Sequence, residues 1–209
     1  MSKKRFTAGV VAATAVFSIV AATFSPPSGA ATRQETGRPT IAGIVASSGN
    51  GFDTKGTDYD VLLAAVQAAG LVETLNTPGL DVTVWAPNDR AFVKTARDLG
   101  FTGAISDEEG AWNFLVEALT GLGNGDPIPV LTTILQYHVT PGARGFISVL
   151  FTSRFPTLAG PEITKGRSPL TLVDQDPDLP NPRLTFPFGV RASNGVIHTI
   201  TRVLIPINI

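Results

Sequence analysis

The 209-residue chain contains no cysteine. Disulfide bonds and thiolate metal sites are therefore excluded, and a chain of this length can bury a core large enough to do without disulfides. Histidine is scarce as well, since His138 and His198 are the only two in the sequence. Two histidines without cysteine make a poor set of zinc ligands, so we expect neither a metal nor another cofactor.

The sequence also lacks an excess of basic residues. Its formal net charge is −1, whereas a protein that binds nucleic acid needs a basic face to neutralise phosphates. We therefore expect no nucleic-acid partner. With 43% hydrophobic and 16% charged residues, the composition is typical of one globular domain with a sizeable core.

Motifs for catalysis and glycosylation are missing too. The sequence has no Gly-x-Ser-x-Gly nucleophile elbow and no Asn-x-Ser/Thr glycan acceptor. Gly121, Gly123 and Gly125 lack the spacing and the preceding strand of a phosphate loop or a dinucleotide fingerprint. These absences favour a protein that is not an enzyme, and a hydrolase is the weaker alternative.

The first 30 residues have the features of a secretory signal peptide. A basic head at 3–5 precedes an apolar run over 6–24, and small residues lead to a cleavage site near Ala30 or Ala31. The alternative is an uncleaved membrane anchor, because the apolar run approaches spanning length. We expect cleavage, and hence a protein secreted to the extracellular space, with the periplasm or the cell surface as alternatives and no remaining membrane span.

Residues 31–40 are polar and predict a short flexible leader, so we expect one folded domain over 41–209. Helical patterns dominate its first half and short strand patterns its second, which predicts an α+β domain. Helices are predicted over 59–69, 71–75, 90–99, 107–119 and 129–137, and 41–47 forms either a strand or a helical turn. Strands are predicted over 81–87, 147–151, 157–158, 162–164, 170–173, 184–188, 190–192 and 194–206.

Three of the predicted helices begin after residues that can accept hydrogen bonds from free backbone N–H groups. Thr57 or Asp58 is expected to cap the helix that begins near residue 59. Asn88 and Asp89 are expected to cap the helix that follows them, and a catalytic acid with its orienting partner is the weaker interpretation. Ser106 is predicted to cap the next helix as part of a capping box.

Three stretches, taken together, resemble the motifs of the fasciclin-like domain family. Residues 83–92 read Thr-Val-Trp-Ala-Pro-Asn-Asp-Arg-Ala-Phe, which is similar to the first motif of that family. Residues 137–139 read Tyr-His-Val and are followed by Gly142, which resembles its tyrosine–histidine motif. Residues 194–206 resemble its last motif. The order and spacing agree, and the resemblance covers about 41–206.

The resemblance implies a fold and a function. The implied fold is a β-sandwich or wedge of short strands with several helices packed on one side. The implied function is that of a secreted, non-enzymatic adhesion module that contacts a protein or polysaccharide at the cell surface or in the extracellular matrix. In related domains the tyrosine–histidine motif is implicated in receptor contact, so Tyr137 and His138 are candidate partner-binding residues. The motif residues with an implied structural role are Thr83, Pro87, Asn88, Asp89, Phe92, Asn194, Gly195, His198 and Pro206.

This sequence departs from the family in three places. Thr201 stands where the family has aspartate, and Trp85 replaces phenylalanine with a larger ring. The segment 101–129 is long for the family. If this segment and nearby aromatic residues line a pocket, the alternative function is that of an extracellular or periplasmic carrier of a small ligand.

Three further groups of residues have a functional and a structural interpretation. His138 and His198 form either a pH switch or ligand site, or a pair of rings hydrogen-bonded to backbone at the edge of the core, which we favour. Alternating acids in the segment 174–182 resemble calcium ligands, but Leu179 stands where such a loop needs glycine, so we expect a solvated acidic loop. Five phenylalanines are expected to pack mostly in the core, with an exposed binding patch as the alternative. They are Phe146, Phe151, Phe155, Phe186 and Phe188.

Overall fold

The computed structural model describes residues 37–49 and 51–208. The predicted signal peptide and most of the predicted leader therefore lie outside the described residues. No helix within the described ranges is long and apolar enough to cross a membrane.

Helices predominate in the first part of the described chain and short strands in the last. The helices are α1 (Ile41–Ala46), α2 (Asp60–Ala68), α3 (Val72–Asn76), α4 (Asp89–Asp98), α5 (Glu108–Leu122), α6 (Ile128–Tyr137) and α7 (Phe146–Phe151). The strands are β1 (Val82–Pro87), β2 (Val139–Pro141), β3 (Arg154–Phe155), β4 (Ile163–Lys165), β5 (Leu172–Val173), β6 (Val190–Ala192) and β7 (Gly195–Ile200).

A four-stranded sheet with the order β2-β1-β7-β6 lies at the centre of the fold. Its middle pair, β1 and β7, is parallel, with Val82 opposite Gly195 and Pro87 opposite Ile200. Every residue of both strands is buried, which explains their nearly continuous apolar sequences. The first and last family-like motifs are thereby direct neighbours, although about a hundred residues separate them in the chain.

Side chains alternate across β1 because successive residues of a strand point to opposite faces. Val84 packs into a first core with helices α1, α2 and α6, whereas Trp85 packs into a second core with Phe155 and Leu204. The second core also takes residues from the small antiparallel sheet β3-β4-β5. Helices thus cover one side of the main sheet and short strands the other, which confirms the predicted α+β arrangement.

The predicted caps of α2 and α5 are wrong. Tyr59, not Thr57 or Asp58, precedes α2, and it makes no side-chain cap. Helix α5 begins after Asp107, whose Oδ1 accepts from a backbone N–H at 2.9 Å, so Ser106 is not its cap. In both places two or three consecutive polar residues can cap, and tertiary packing selects among them.

Three predicted strands are also wrong. Residues 147–151 belong to α7, since a short apolar run fits a buried helix as well as a strand. The strand predicted at 157–158 lies earlier, at β3. Residues 184–188 form no strand, and only isolated bridges occur at Arg183 and Leu184, because Pro187 has no N–H to donate.

Candidate functional site

Thr83 in β1 ties the start of the sheet to the turn after β2. Its hydroxyl donates to the carbonyl of Gly142 at 2.6 Å and accepts from the backbone N–H of Arg144 at 2.9 Å. Pro87 ends the strand opposite Ile200. These contacts give the two first-motif residues a place in the sheet rather than on a binding surface.

The remaining first-motif residues connect β1 to the helices. Asn88 caps α4 as predicted, since its Oδ1 accepts from the N–H of Ala91 at 3.0 Å. Asp89 does not cap α4 and instead accepts from the N–H of Val61, in the first turn of α2, at 2.8 Å. Phe92 is buried in the first core. The motif therefore joins strand β1, helix α4 and helix α2.

Asn194 lies in the turn before β7, and Gly195 begins the strand. The Asn194 side chain accepts from the N–H of Ile41 at 2.9 Å and donates to the carbonyls of Leu75 and Thr77 at 2.8 and 3.0 Å. A Cβ added to Gly195 would lie 2.3 Å from the carbonyl oxygen of Val82, so the close approach of β1 requires glycine there. One side chain thus holds α1, α3 and the central sheet together.

The His138 ring is buried and both of its nitrogens are satisfied. Nδ1 lies 2.8 Å from the carbonyl oxygen of Ile134, to which it donates, and Nε2 accepts from the N–H of Leu204 at 2.9 Å. Burial lowers the pKa of His138 to about 4. The ring is therefore neutral near pH 7.

The His198 ring is held by backbone groups in the same way. Its Nε2 lies 2.8 Å from the carbonyl oxygen of Arg144, to which it donates, and its Nδ1 accepts from the N–H of Gly189 at 3.2 Å. The ring stacks on Trp85 with 5.5 Å between ring centroids. Burial lowers the pKa of His198 below its usual value. The interpretation of both histidines as rings bonded to backbone fits this geometry.

Tyr137 lies beside His138 and is completely buried. Its hydroxyl donates to the carbonyl of Glu162 at 3.2 Å, and burial raises the pKa of Tyr137 to about 12. With exposed fractions of 0% and 3%, the side chains of Tyr137 and His138 are reached by a partner only if the surrounding structure opens. Their role in partner binding stays a prediction.

The two substituted motif positions have rebuilt their contacts. Trp85 is fully buried, and its Nε1 donates to the hydroxyl of Thr140 at 3.0 Å. The hydroxyl of Thr201 accepts from the backbone N–H of Arg183 at 3.0 Å. Both departures from the family pattern therefore carry a hydrogen bond of their own.

The acidic segment 174–182 is a loop, but it is not fully solvated as expected. Asp174 accepts from the N–H of Ile205 at 2.9 Å, and burial raises the pKa of Asp174 to about 6. Asp176 is buried and accepts from the N–H groups of Asp178 and Leu179. Asp174 thus ties the loop to the segment that carries Ile205, and Asp176 shapes the loop itself.

Most of the five phenylalanines lie at the surface, so the expectation that they pack in the core is wrong. Only Phe155 among the five is buried. Phe151 and Phe186 are 87% and 80% exposed, and Phe188 is 36% exposed. The five side chains that we call the aromatic surface are Phe146, Ile147, Phe151, Phe186 and Phe188.

Ring contacts and helix geometry connect these side chains. Phe146 stacks on Phe188 with 4.6 Å between centroids, and Phe186 meets Phe188 edge to face at 6.4 Å. Ile147, which is 66% exposed, and Phe151 are four residues apart on α7 and so share a face. Helix α7 and the loop before β6 thus each present apolar side chains to solvent, and the stacked rings of Phe146 and Phe188 connect the two elements.

A second apolar feature is a pocket of about 590 Å³. It lies between α4, α5, α6 and the end of the chain. Its lining residues include Phe92, Trp112, Phe114, Leu115, Leu119, Leu122, Ile134, Val203 and Pro206. The segment 101–129 therefore supplies much of a pocket, as the carrier alternative requires, and Pro206 is placed in its wall.

Comparisons with known proteins agree with the motifs. The family model for the fasciclin domain matches residues 57–206. The chain is 32% identical over 151 residues to the transforming growth factor-beta-induced protein ig-h3 of Sus scrofa, covering 71% of this chain and 18% of that protein. It is 32% identical over 148 residues to protein sll1483 of Synechocystis sp., covering 71% of this chain and 67% of the relative.

A solved structure shares the fold. It is a FAS1 domain pair from the insect cell adhesion molecule fasciclin I, with a TM-score of 0.51, 14% identity and coverage of 80% of this chain and 51% of the other. The chain thus spans only a part of ig-h3 and about half of the fasciclin I pair. The family match covers most of the chain and includes the three motifs. The chain therefore belongs to the fasciclin domain family.

Proposed function

We propose that this protein is a secreted, non-enzymatic adhesion module that contacts a protein or polysaccharide at the cell surface or in the extracellular matrix. Fasciclin domains are associated with cell adhesion, are generally non-enzymatic and occur in extracellular or cell-surface proteins. The observation that carries the proposal for this chain is the aromatic surface. It offers a binding face where the two motif histidines and Tyr137 are buried.

The energetics favour a partner on the aromatic surface. Covering an exposed phenylalanine side chain contributes roughly 2 kcal/mol, so Phe151 and Phe186 together would contribute about 4 kcal/mol to binding. Soluble proteins rarely leave contiguous apolar patches exposed without a binding role, and aromatic residues are enriched in interfaces. Phenyl rings suit either an apolar protein patch or the apolar face of a sugar ring.

Deleting the gene tests the proposal at the level of the cell. We expect deletion to reduce attachment of the producing cells to a surface or to their matrix, and re-expression of the wild-type chain to restore it. Attachment that is unchanged after deletion would contradict an adhesive role.

Export is part of the same proposal. The basic head, the apolar run and the small-residue exit support cleavage near Ala30 or Ala31. Mass spectrometry of the protein from the culture medium and from washed cells should give a mature chain that begins close to these residues. An intact N-terminus found only in the membrane fraction would instead support an uncleaved anchor.

Tyr137 and His138 stay candidate partner contacts within this proposal. Because both are buried, a partner would reach them only after the surrounding chain moves away. Phe substitution at Tyr137 keeps the ring and removes the hydroxyl bond to Glu162. If attachment falls while the melting temperature holds, the hydroxyl takes part in binding.

The apolar pocket supports a second candidate function, that of a carrier of a small apolar ligand. Its volume of about 590 Å³ lies within the range of pockets for small molecules. Thr95 and Thr133 bring hydroxyls to an otherwise apolar wall, and the Thr95 hydroxyl already accepts from the N–H of Val203. The lining therefore suits an acyl chain or another compound with few polar groups.

Native mass spectrometry of protein purified from its source distinguishes a carrier from an empty domain. A carrier is expected to show a bound species of defined mass. The variant Ala118→Trp, which places a bulky ring in the pocket wall, should lose that species. A wild-type chain found only at its apo mass would count against this function.

A further inference from the structure

Five acidic residues converge where the loop before α2 meets the first turns of three helices. Asp60, Asp89 and Glu108 lie in the first turns of α2, α4 and α5. Asp58, Asp60, Asp89 and Glu108 are each at most 5% exposed, and Asp53 is exposed. Asp53, Asp58 and Asp60 bring one carboxylate oxygen each to within 4.8 Å of one another, and so do Asp58, Asp89 and Glu108.

Each of the four buried carboxylates has one oxygen that the protein itself holds. The pattern is the same at all four, with one N–H or ammonium group facing one oxygen. The donors and acceptors are Lys55 Nζ to Asp58 Oδ2 at 3.1 Å, Gly51 N to Asp60 Oδ1 at 3.4 Å, Val61 N to Asp89 Oδ1 at 2.8 Å, and Asp53 N to Glu108 Oε2 at 2.9 Å.

The second oxygen of each buried carboxylate accepts no hydrogen bond from residues 37–49 or 51–208. These oxygens are Asp58 Oδ1, Asp60 Oδ2, Asp89 Oδ2 and Glu108 Oε1. Buried polar atoms in folded proteins nearly always have a partner, and an unpartnered one is costly. Four such oxygens in one cluster therefore point to a positively charged group that binds between them.

Either a proton or a metal cation can provide a partner for the unpartnered carboxylate oxygens. Burial, and then the neighbouring acids, raise the pKa of Asp89 to about 8, and burial raises the pKa values of Asp60 and Glu108. A proton shared between the carboxylates of Asp58 and Asp89 would remove the repulsion within that pair alone. A divalent cation bound by Asp58, Asp89 and Glu108 would neutralise the buried triad, and the pKa values of Asp89 and Glu108 would then fall. The fixed oxygens and the helix dipoles at three N-termini favour the ionised carboxylates that a cation needs.

The ligand set distinguishes among cations. Calcium takes six to eight oxygen ligands, with carboxylates prominent among them, whereas magnesium keeps several waters and is usually bound through only one or two carboxylates. Three buried carboxylates in one group therefore suit calcium better than magnesium. We propose that Asp58, Asp89 and Glu108 bind a calcium ion, with Asp60 and Asp53 beside it around the shared Asp58.

The site adds a link between elements that already pack together, since Asp89 of α4 accepts from the N–H of Val61 in α2 and side chains of α5 pack on the same core. An ion in the buried triad would connect Asp58, in the loop before α2, to α4 and α5. The Lys55 ammonium stays on Asp58 Oδ2, outside the cluster, because its side chain is 63% exposed. Calcium sites of extracellular modules have dissociation constants of about 0.1–1 mM, which a secreted protein would meet in calcium-rich surroundings.

Calorimetry and thermal melting of the purified protein after EDTA treatment test the site. Calcium chloride is expected to bind at one site per chain with a dissociation constant of about 1 mM or below. At 10 mM calcium the melting temperature should rise by roughly 5 °C relative to sodium chloride of equal ionic strength. Magnesium chloride should raise it less.

Two neighbouring residues on α5 give a matched pair of variants. Glu108 is buried in the cluster, whereas Glu109 is exposed. Glu108→Gln should weaken calcium binding at least tenfold, and Glu109→Gln should leave it unchanged. Glu108→Gln removes one of several mutually repelling acids, so it should fold and melt no lower than the wild type in EDTA. If it does not fold, Asp58→Asn serves the same purpose.

Two results would overturn the calcium site. One is the absence of binding heat and of any melting shift with calcium, together with a carboxyl carbon of Asp89 that titrates near pH 8 by NMR, which would assign the cluster to a shared proton. The other is a calcium effect that Glu108→Gln and Glu109→Gln retain equally, which would place the ion elsewhere. Both results come from purified protein, so they are independent of the gene-deletion test of adhesion.

Discussion

His138 and Leu204 are joined by a hydrogen bond in which the backbone N–H of Leu204 donates to Nε2 of the ring over 2.9 Å. Since the opposite nitrogen, Nδ1, donates to the carbonyl of Ile134, the ring is fixed in one neutral tautomer. The tyrosine–histidine motif is thereby tied to the last motif, at a residue that follows β7. This bond exists only while the imidazole is neutral, because Nε2 must accept.

The first prediction concerns the titration of His138. The pKa is about 6.5 in the unfolded chain and about 4 in the folded protein, so the unfolded state takes up the proton first as the pH falls. The His138 contribution to the free energy of unfolding is therefore present above about pH 6.5 and is lost toward pH 4, by about 3 kcal/mol in total.

NMR titration of the two histidine rings measures this directly. Both rings should be neutral at pH 7, and the His138 signals should not move until the pH is well below 6. A midpoint near 6.5 for His138 would show that the ring is exposed or differently bonded.

The second prediction concerns Asn194, whose side chain makes three hydrogen bonds to the backbone of Ile41, Leu75 and Thr77. Asn194→Ala leaves these buried groups unpaired and should lower the free energy of unfolding by about 3 kcal/mol. Urea denaturation measures the loss. Asn113→Ala, at an exposed position of α5, is the control and should change stability by no more than about 0.5 kcal/mol. If the two variants lose the same amount of stability, the three hydrogen bonds of Asn194 do not stabilise the fold.

The third prediction concerns Thr201, which stands where the family has aspartate. Because its hydroxyl already accepts from the N–H of Arg183, Thr201→Asp should change the free energy of unfolding by less than about 0.5 kcal/mol. Thr201→Val removes the acceptor and should cost about 1 kcal/mol. A large gain in melting temperature for Thr201→Asp would show instead that threonine leaves the site incomplete.

The fourth prediction concerns Trp85. Trp85→Phe restores the ring that the family uses, but it removes the bond from Nε1 to the Thr140 hydroxyl and part of the packing against Phe155. We expect a loss of about 2 kcal/mol in the free energy of unfolding. Chemical denaturation of the two proteins gives the difference, and a variant as stable as the wild type would show that the core does not use the larger ring.

Local chemistry accounts for the parts of the fold that the sequence predicts. Strands β1 and β7 are evident from continuous β-branched and apolar runs, and Asn88 is a cap because an amide oxygen precedes a helical pattern. The parallel pairing of the two strands is a tertiary fact, set by residues about a hundred positions apart. The resemblance to a family, not periodicity, indicated that the two motifs belong together.

The candidate binding features show the limit of sequence patterns more sharply. Phe151 and Phe155 are chemically identical and four residues apart, yet one is 87% exposed and the other fully buried. The acidic cluster was missed because Asp60 and Glu108 are far apart in the chain and each looks like an ordinary residue of a helix first turn. The sequence gives only a weak indication of the cluster, namely acidic residues at the starts of three helices that pack in the same core.

The aromatic surface is the central claim for function, and attachment of cells that carry altered chains tests it most directly. Phe151→Ser combined with Phe186→Ser removes the two most exposed rings. The control is Ile105→Ser. Ile105 is an exposed apolar residue before α5, and α5 packs on the first core, away from the aromatic surface. In a strain without the native gene, the control chain should restore attachment to the wild-type level, and the double variant, secreted and folded to the same extent, should not. Full restoration by the double variant would contradict the account.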